Sequence, residues 1–291
     1  MKIALLGSKY QEKGQIERIF NILKEQNVEI SIQKEFSDYL ASDFAIRYPN
    51  AETFSENNFT ADFAFSIGGD GTFLRTAEII GKKDIPILGI NTGHLGFLAD
   101  INQENMEIAL SEIFEGKYRV ECRSQLELID SDSNFFNGKN IALNEIAILK
   151  QDTASMITVH AYIDDEYLTS YQADGLIIST PTGSTAYSLS IGGPIMTPNA
   201  ANFIIAAIAP HSLNTRPLVI DDSSTVQIEI EKSRNRNFLI SLDGRSQVIT
   251  ACSKLTIRKA DTSIKLIKRL GHTFYGTLKE KLMWGTDPRL K

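Results

Sequence analysis

At 291 residues, with 42% hydrophobic and 23% charged residues, the chain has the make-up of an ordinary folded protein of one large or two medium domains, not of a disordered or membrane chain. A formal net charge of −6 argues against a protein whose task is to neutralise a nucleic-acid backbone, so no nucleic-acid partner is expected. No apolar run approaches the roughly 18 residues of a membrane span, and Met1-Lys-Ile-Ala-Leu-Leu-Gly7 reads as a strand and turn rather than a secretory signal, which predicts a cytoplasmic protein without membrane contact.

The first third alternates short strands with helical segments. Lys2 to Gly7 reads as a strand, Gln15 to Gln26 as a helix with Ile16, Ile19, Phe20 and Leu23 at helical spacing, and Val28 to Ile32 as a second strand. Ala61 to Ile67 and Ile85 to Ile90 are apolar runs bounded by glycine or proline, with a helix from Thr72 to Ile80 between them. This order predicts a parallel sheet with crossover helices, whose ligands bind beyond the carboxyl ends of the strands. Gly68-Gly-Asp-Gly71 and Asn91-Thr-Gly-His-Leu-Gly-Phe97 stand at such ends, and Glu104 to Phe114 reads as a linking helix.

From Tyr118 the pattern changes to period two, in Arg119 to Asp130, Ile141 to Leu149, Ile157 to Ile163, Leu176 to Ser179, Val226 to Ile230, Phe238 to Leu242, Lys254 to Arg258 and Ile264 to Ile267. Asn137-Gly138 and Asp164-Asp165 supply turn chemistry, and Ala201 to Ala209 is too apolar to assign by period. Thr273 to Trp284 reads as a final helix with Phe274, Leu278 and Leu282 on one face, able to pack on the first domain. The expected organisation is an α/β nucleotide-binding domain over 1–100, a larger β-rich domain over 101–270 and a C-terminal helical segment over 271–291.

Asp70, held between glycines after a strand, suits a carboxylate that accepts a hydroxyl proton beside closely approached phosphates; the competing reading is a tight turn in which Asp70 caps the helix from Thr72. Arg75, one turn further, reads as a phosphate contact or as a surface ion pair. Neither Gly-x-Gly-x-x-Gly nor Gly-x-x-x-x-Gly-Lys-Ser/Thr is present, against an ordinary dehydrogenase or P-loop ATPase. Asn144-Glu145 can read an adenine edge or a ribose diol, or can be a polar pair on a strand face.

The stretch from Asp174 to Pro194 ends a strand in Pro181-Thr-Gly-Ser184 and offers hydroxyls at Thr182, Ser184, Thr185, Ser188 and Ser190 with a flat ring at Tyr187, the make-up of a nucleoside pocket. Ser184 with His211 as a hydrolase pair lacks the Gly-x-Ser-x-Gly elbow. Ser241-Leu-Asp-Gly-Arg245 is either a hairpin turn or a further carboxylate at the site. Cys122 and Cys252 read as buried thiols, the histidines His94, His160, His211 and His272 form no zinc motif, and the runs Lys279 to Lys281 and Arg289 to Lys291 read as solvated charge.

With Gly68-Gly-Asp-Gly71, Asn144-Glu145, the long loop from Asp174 to Ser190 and Ser241-Leu-Asp-Gly244 in this order, the chain resembles the bacterial NAD kinases over nearly its whole length. The Gly-Gly-Asp-Gly turn is shared with diacylglycerol, sphingosine and phosphofructokinase relatives, while the long loop points to NAD. The resemblance implies transfer of the γ-phosphoryl of ATP, or in some members polyphosphate, to the 2′-hydroxyl of the adenosine ribose of NAD, with Mg²⁺, in a homodimer or homotetramer. It implies Asp70 as general base, Gly71 and Arg75 beside the dinucleotide, and Gly68, Gly69, Gly71 and Thr72 as the donor-phosphate loop. It further implies Asn144 and Glu145 at the adenosine, Asp174 at the nicotinamide end, Thr182, Thr185, Ala186, Tyr187, Ser188, Leu189 and Ser190 on the adenine side, and Arg245 at a position where relatives vary. Gln172 stands where some relatives carry a basic residue. No metal ligand is assigned. The alternatives are a lipid kinase of the same superfamily and a non-catalytic dinucleotide sensor.

Overall fold

The computed structural model describes residues 1–9, 11–48, 50–55, 58–93, 96–129, 135–151, 155–231, 237–250 and 254–285. His94, Cys252 and the run Arg289 to Lys291 lie outside the described residues. In chain order the elements are β1 (Lys2–Gly7), α1 (Lys13–Glu25), β2 (Glu29–Gln33), α2 (Lys34–Phe44), β3 (Glu52–Phe54), β4 (Phe63–Ile67), α3 (Asp70–Ile80), β5 (Ile87–Ile90), α4 (Met106–Phe114) and β6 (Tyr118–Ile129). There follow β7 (Ile141–Ala142), β8 (Glu145–Lys150), β9 (Ile157–Ile163), β10 (Glu166–Ala173), β11 (Gly175–Ser179), the single turn α5 (Tyr187–Ser190), β12 (Asn202–Ile208) and β13 (Leu218–Asp221). The last are β14 (Val226–Ile230), β15 (Asn237–Leu242), β16 (Arg245–Thr250), β17 (Lys254–Arg269) and α6 (Phe274–Leu282). The chain divides into two compact units, Met1–Cys122 with Ile264–Lys291, and Arg123–Ser263.

The first unit is α/β. Its strands run in the order β17, β5, β4, β1, β2, β3, every neighbouring pair parallel. The order reverses between β1 and β4, where crossovers leave in opposite directions, and the register brings Gly7 beside Ile67 and Ile67 beside Ile90. The loops after β1, β4 and β5 therefore leave one edge of the sheet, the place where open parallel sheets bind ligands. Ile16, Ile19, Phe20 and Leu23 of α1, Phe36, Tyr39 and Leu40 of α2, and Met106, Leu110 and Ile113 of α4 fill the core with Ile3, Leu5, Phe65, Leu88 and Ile267. Each such side chain contributes about 1.5–3 kcal/mol when fully buried.

The second unit is antiparallel β. A six-stranded sheet, β13-β12-β11-β8-β15-β16, faces a layer in which β10, β9, β14 and β17 are neighbours. Ile146, Ile148, Leu176, Ile178, Phe203 and Ile240 of the sheet meet Val159, Ala161, Val226, Ile228, Leu255 and Ile257 of the layer in one core. Asp164 and Asp165 join β9 to β10 with φ of 50° and 68°, the positive pair that a two-residue hairpin demands.

Several sequence expectations change. Ile141 to Leu149 is two strands, broken at Leu143-Asn144. Lys254 to Arg258 and Ile264 to Ile267 are one strand of 16 residues. Cys122 is exposed, as is Val120 beside it on the same face of the first half of β6, before that face turns into the core at Leu126. The limits at 122 and 263 differ from those expected near 100 and 270, since α4, Tyr118 and Ile267 all pack in the first core.

Candidate functional site

In the first unit the chemistry gathers after β4. Gly68 has φ of +147°, and a Cβ there would lie 2.3 Å from Thr72 Oγ1 and 2.8 Å from Ser8 Oγ, so only glycine lets the chain turn here. Gly69 is the N-cap of α3, which begins at Asp70 rather than at Thr72. Gly69 and Gly71 are exposed, and a Cβ on either meets nothing within 4 Å, which leaves the positive end of the helix open to an anion.

Asp70 does not cap its helix. Its carboxylate turns to the loop after β5, where Phe97 N–H donates to Oδ2 (2.9 Å) and the N–H groups of Leu98 and Ala99 both donate to Oδ1 (3.0 Å each). A Cβ on Gly96 would lie 2.0 Å from Oδ1, so glycine at 96 is a condition of this clasp. Lys281 Nζ stands 3.6 Å from Oδ2. Arg75 is exposed and ion-paired with Glu35, and among the described residues Lys9, Glu35, Asp38, Tyr39, Ser42 and Asp43 line a neighbouring hollow of about 500 Å³.

In the second unit the break between β7 and β8 is the organising feature. The carboxylate of Asp243 accepts from the N–H groups of Leu143 (2.6 Å), Asn144 (2.8 Å) and Glu145 (3.1 Å). Asp243 and Gly244 form the β15–β16 hairpin turn with φ of 49° and 84°, so the hairpin reading holds, and the carboxylate of the turn is engaged by the backbone of the bend. From the other side, Thr180 N–H donates to Asn144 O (2.9 Å) and Thr180 Oγ1 to Leu143 O (2.6 Å). A Cβ on Gly183 would lie 2.1 Å from Asn144 O, so the Pro181 to Thr185 turn sits directly against this bend.

Three polar atoms at this bend and on the short helix are buried with no hydrogen-bond partner among the described residues: Asn144 Oδ1, Glu145 Oε2 and Ser188 Oγ. An unpaired buried polar atom costs about 1–3 kcal/mol, so three together fit a polar ligand, such as a nucleoside, that completes them. Burial first, then the negative charge of Asp243, pushes Glu145 up to about 7 against the N–H bond from Tyr187. Burial also raises Asp243, against its three backbone bonds and the charge of Arg245.

Other hydroxyls of the loop serve the fold. Ser184 Oγ donates to Pro181 O (2.7 Å) and accepts from Met196 N–H (3.0 Å), and Thr185 Oγ1 donates to Thr182 O (3.3 Å). A hydrolase pair of Ser184 with His211 has no support, since Ser184 is fully buried and His211 exposed. Thr182 is buried, Ala186 and Leu189 are half-buried, and Tyr187 and Ser190 are exposed. Asp174 pairs with Lys150 (2.6 Å), and Arg245 donates to the carbonyls of Lys139 (2.8 Å) and Ile141 (2.7 Å), bracing the strand before the bend.

A relative from Bacteroides fragilis named NAD kinase is 50% identical over 292 residues, covering 100% of both chains. The chain belongs to the NAD kinase family. The model of the ATP-NAD kinase N-terminal domain matches residues 10–118, and that of the C-terminal domain residues 143–269. The Cytophaga hutchinsonii NAD kinase is 44% identical, over 99% of this chain and 100% of that one. Among solved structures, an Archaeoglobus fulgidus NAD kinase in complex with ATP is 28% identical with a TM-score of 0.76, covering 97% of this chain and 99% of that one. Yeast NADH kinase complexed with NADH, at 24% identity and a TM-score of 0.87 over 100% of this chain and 90% of that one, is similar in fold. The chain is thus an NAD kinase enzyme, and neither the lipid kinase nor the non-catalytic sensor is favoured.

Proposed function

We propose that the chain transfers the γ-phosphoryl group of ATP to the 2′-hydroxyl of the adenosine ribose of NAD, with Asp70 as the base. The observation that carries this is the orientation of Asp70: its carboxylate is fixed by three backbone donors instead of capping α3, at the sheet edge and beside the open N-terminus of that helix. The ribose oxygen attacks the γ-phosphorus, the bond to the β,γ-bridging oxygen breaks, ADP leaves and the hydroxyl proton passes to Asp70. The N–H groups of Gly69, Asp70 and Gly71 would face the donor's phosphates, that of Thr72 being bonded to Gly69 O (3.0 Å), and Mg²⁺ bound with the nucleotide would offset the phosphate charge.

Asn144, Glu145 and Ser188 hold the adenosine through the three buried atoms that lack protein partners among the described residues. Thr182, Thr185, Ala186, Tyr187, Leu189 and Ser190 border its base, Asp174 serves the nicotinamide end, and Gly71, Arg75 and Arg245 stand beside the dinucleotide; these roles rest on the family resemblance. So do a cytoplasmic location and a homodimer or homotetramer, the latter readable by light scattering.

Purified protein incubated with NAD, Mg²⁺ and either ATP or polyphosphate is expected to form NADP, detected with an NADP-specific dehydrogenase. No product with either donor overturns the reading. Asp70→Asn should lower kcat by about 10²- to 10⁴-fold while NAD affinity by calorimetry stays close to wild type. Wild-type turnover in that variant would remove Asp70 from the mechanism.

A further inference from the structure

Resting on the reading of Asp70 as the base, we infer that the segment from Lys268 to Lys281 is a positioning element for its carboxylate. It acts through Lys281, and through a buried Lys268–Asp100 pair that fixes the loop from Gly96 to Ala99. Nothing in the charge run Lys279 to Lys281 marks it as more than solvated surface; the geometry does.

Lys281 Nζ is 3.6 Å from Asp70 Oδ2 and 4.7 Å from the centroid of the Phe97 ring. Phe97 is also the residue whose N–H donates to that same Oδ2. One cation thus bears on the carboxylate by charge and on its backbone donor by a cation–π contact. Phe274, on the same face of α6 two turns earlier, brings its ring within 6.3 Å of the Phe97 ring. Thr273 caps α6, its hydroxyl oxygen accepting from Gly276 N–H (3.1 Å), and so sets where that face begins.

The other end of the loop is pinned from β17. Lys268 Nζ is 2.6 Å from Asp100 Oδ2 with both side chains 7% exposed, and it also donates to Phe97 O (3.4 Å). His272 Nδ1 stands 3.1 Å from the same Asp100 oxygen. Burial would raise Asp100, but the charge of Lys268 and the bonds from His272 and Lys268 hold its carboxyl below the ordinary value. Buried ion pairs add little stability over well-packed apolar residues, so a pair placed beside the three donors of Asp70 is better explained by the geometry that it fixes. Misplacing a catalytic group by about 1 Å can cost on the order of 10²-fold in rate.

The test uses the full chain and reads kcat and KM for NAD and ATP separately. Lys281→Met keeps the stem on Phe97 and removes the charge; kcat should fall about tenfold with both KM values within about twofold, and Lys281→Arg should restore most of it. In an Asp70→Asn background Lys281→Met should have no further effect, because the carboxylate that it positions is gone. Lys268→Met combined with Asp100→Asn leaves no unpaired buried charge and should show the same loss of kcat with NAD affinity kept. Wild-type kcat in Lys281→Met and in the combined variant overturns the inference, as does an equal loss from Lys281→Met with and without Asp70. A raised KM for ATP at unchanged kcat overturns it too, since that makes Lys281 a donor contact. If Asp70→Asn itself turns over normally, the base assignment falls and this inference with it.

Discussion

Glu145 carries the pH behaviour that a single residue can impose. Its carboxyl is raised from 4.5 to about 7, so between those values the folded chain keeps a proton that the unfolded chain releases. The sign follows: the group's stabilising contribution is complete below the lower value and is lost as pH rises through the upper one. Glu145→Gln cannot ionise, and the fall in Tm from pH 5 to pH 8 should be smaller in that variant. Binding adds a second readout, because a donor group of the adenosine that reaches Glu145 bonds best to an ionised carboxylate. NAD binding near pH 7 should release protons, seen as a dependence of the calorimetric heat on buffer ionisation enthalpy, and Glu145→Gln should abolish most of it.

At the scale of elements, the bend between β7 and β8 depends on two long-range supports, Asp243 and the turn at Gly183. Gly183→Ala would press a methyl group on the Asn144 carbonyl and should lower stability by about 1–3 kcal/mol in chemical denaturation and weaken NAD binding, while Gly14→Ala, in α1 with open space around it, should leave NAD affinity unchanged. Asn144-Glu145 and the hydroxyl loop were legible in the sequence because their residue types stand together. Asp243 was legible only as a turn with an adjacent carboxylate, since its partners lie 98 to 100 residues away. A still longer separation in sequence hid Lys281 from Asp70. Helix α2 went unassigned although Phe36, Tyr39 and Leu40 have helical spacing, because it follows β2 with no turn residue and no side-chain cap to announce it. Strand β13 carries only the short apolar run Leu218-Val-Ile220, mostly exposed, which is too brief to show a period.

Across the whole molecule, the alternation of period 3.6 and period 2 was enough to separate an α/β from a β-rich region and to expect the last helix back on the first domain, but not to show that the first sheet takes a strand from beyond the second unit. Leu266 pairs with Ile87, and Ile267 lies in the first core. A chain stopped after Ser263 should therefore lose amide-exchange protection throughout β1 to β5 while β8, β11 and β12 stay protected, measured by mass spectrometry. Unchanged protection of β4 and β5 would show that the first sheet stands without β17. This return of the chain also sets an order in time. The ribosome delivers β1 to β5 first and the strand that covers the edge of β5 only after all of the second unit, an interval on the order of ten seconds. Throughout that interval the nascent first sheet carries a bare edge, the kind of surface that recruits stray strands, so this fold should lean on chaperones most heavily just before its translation ends.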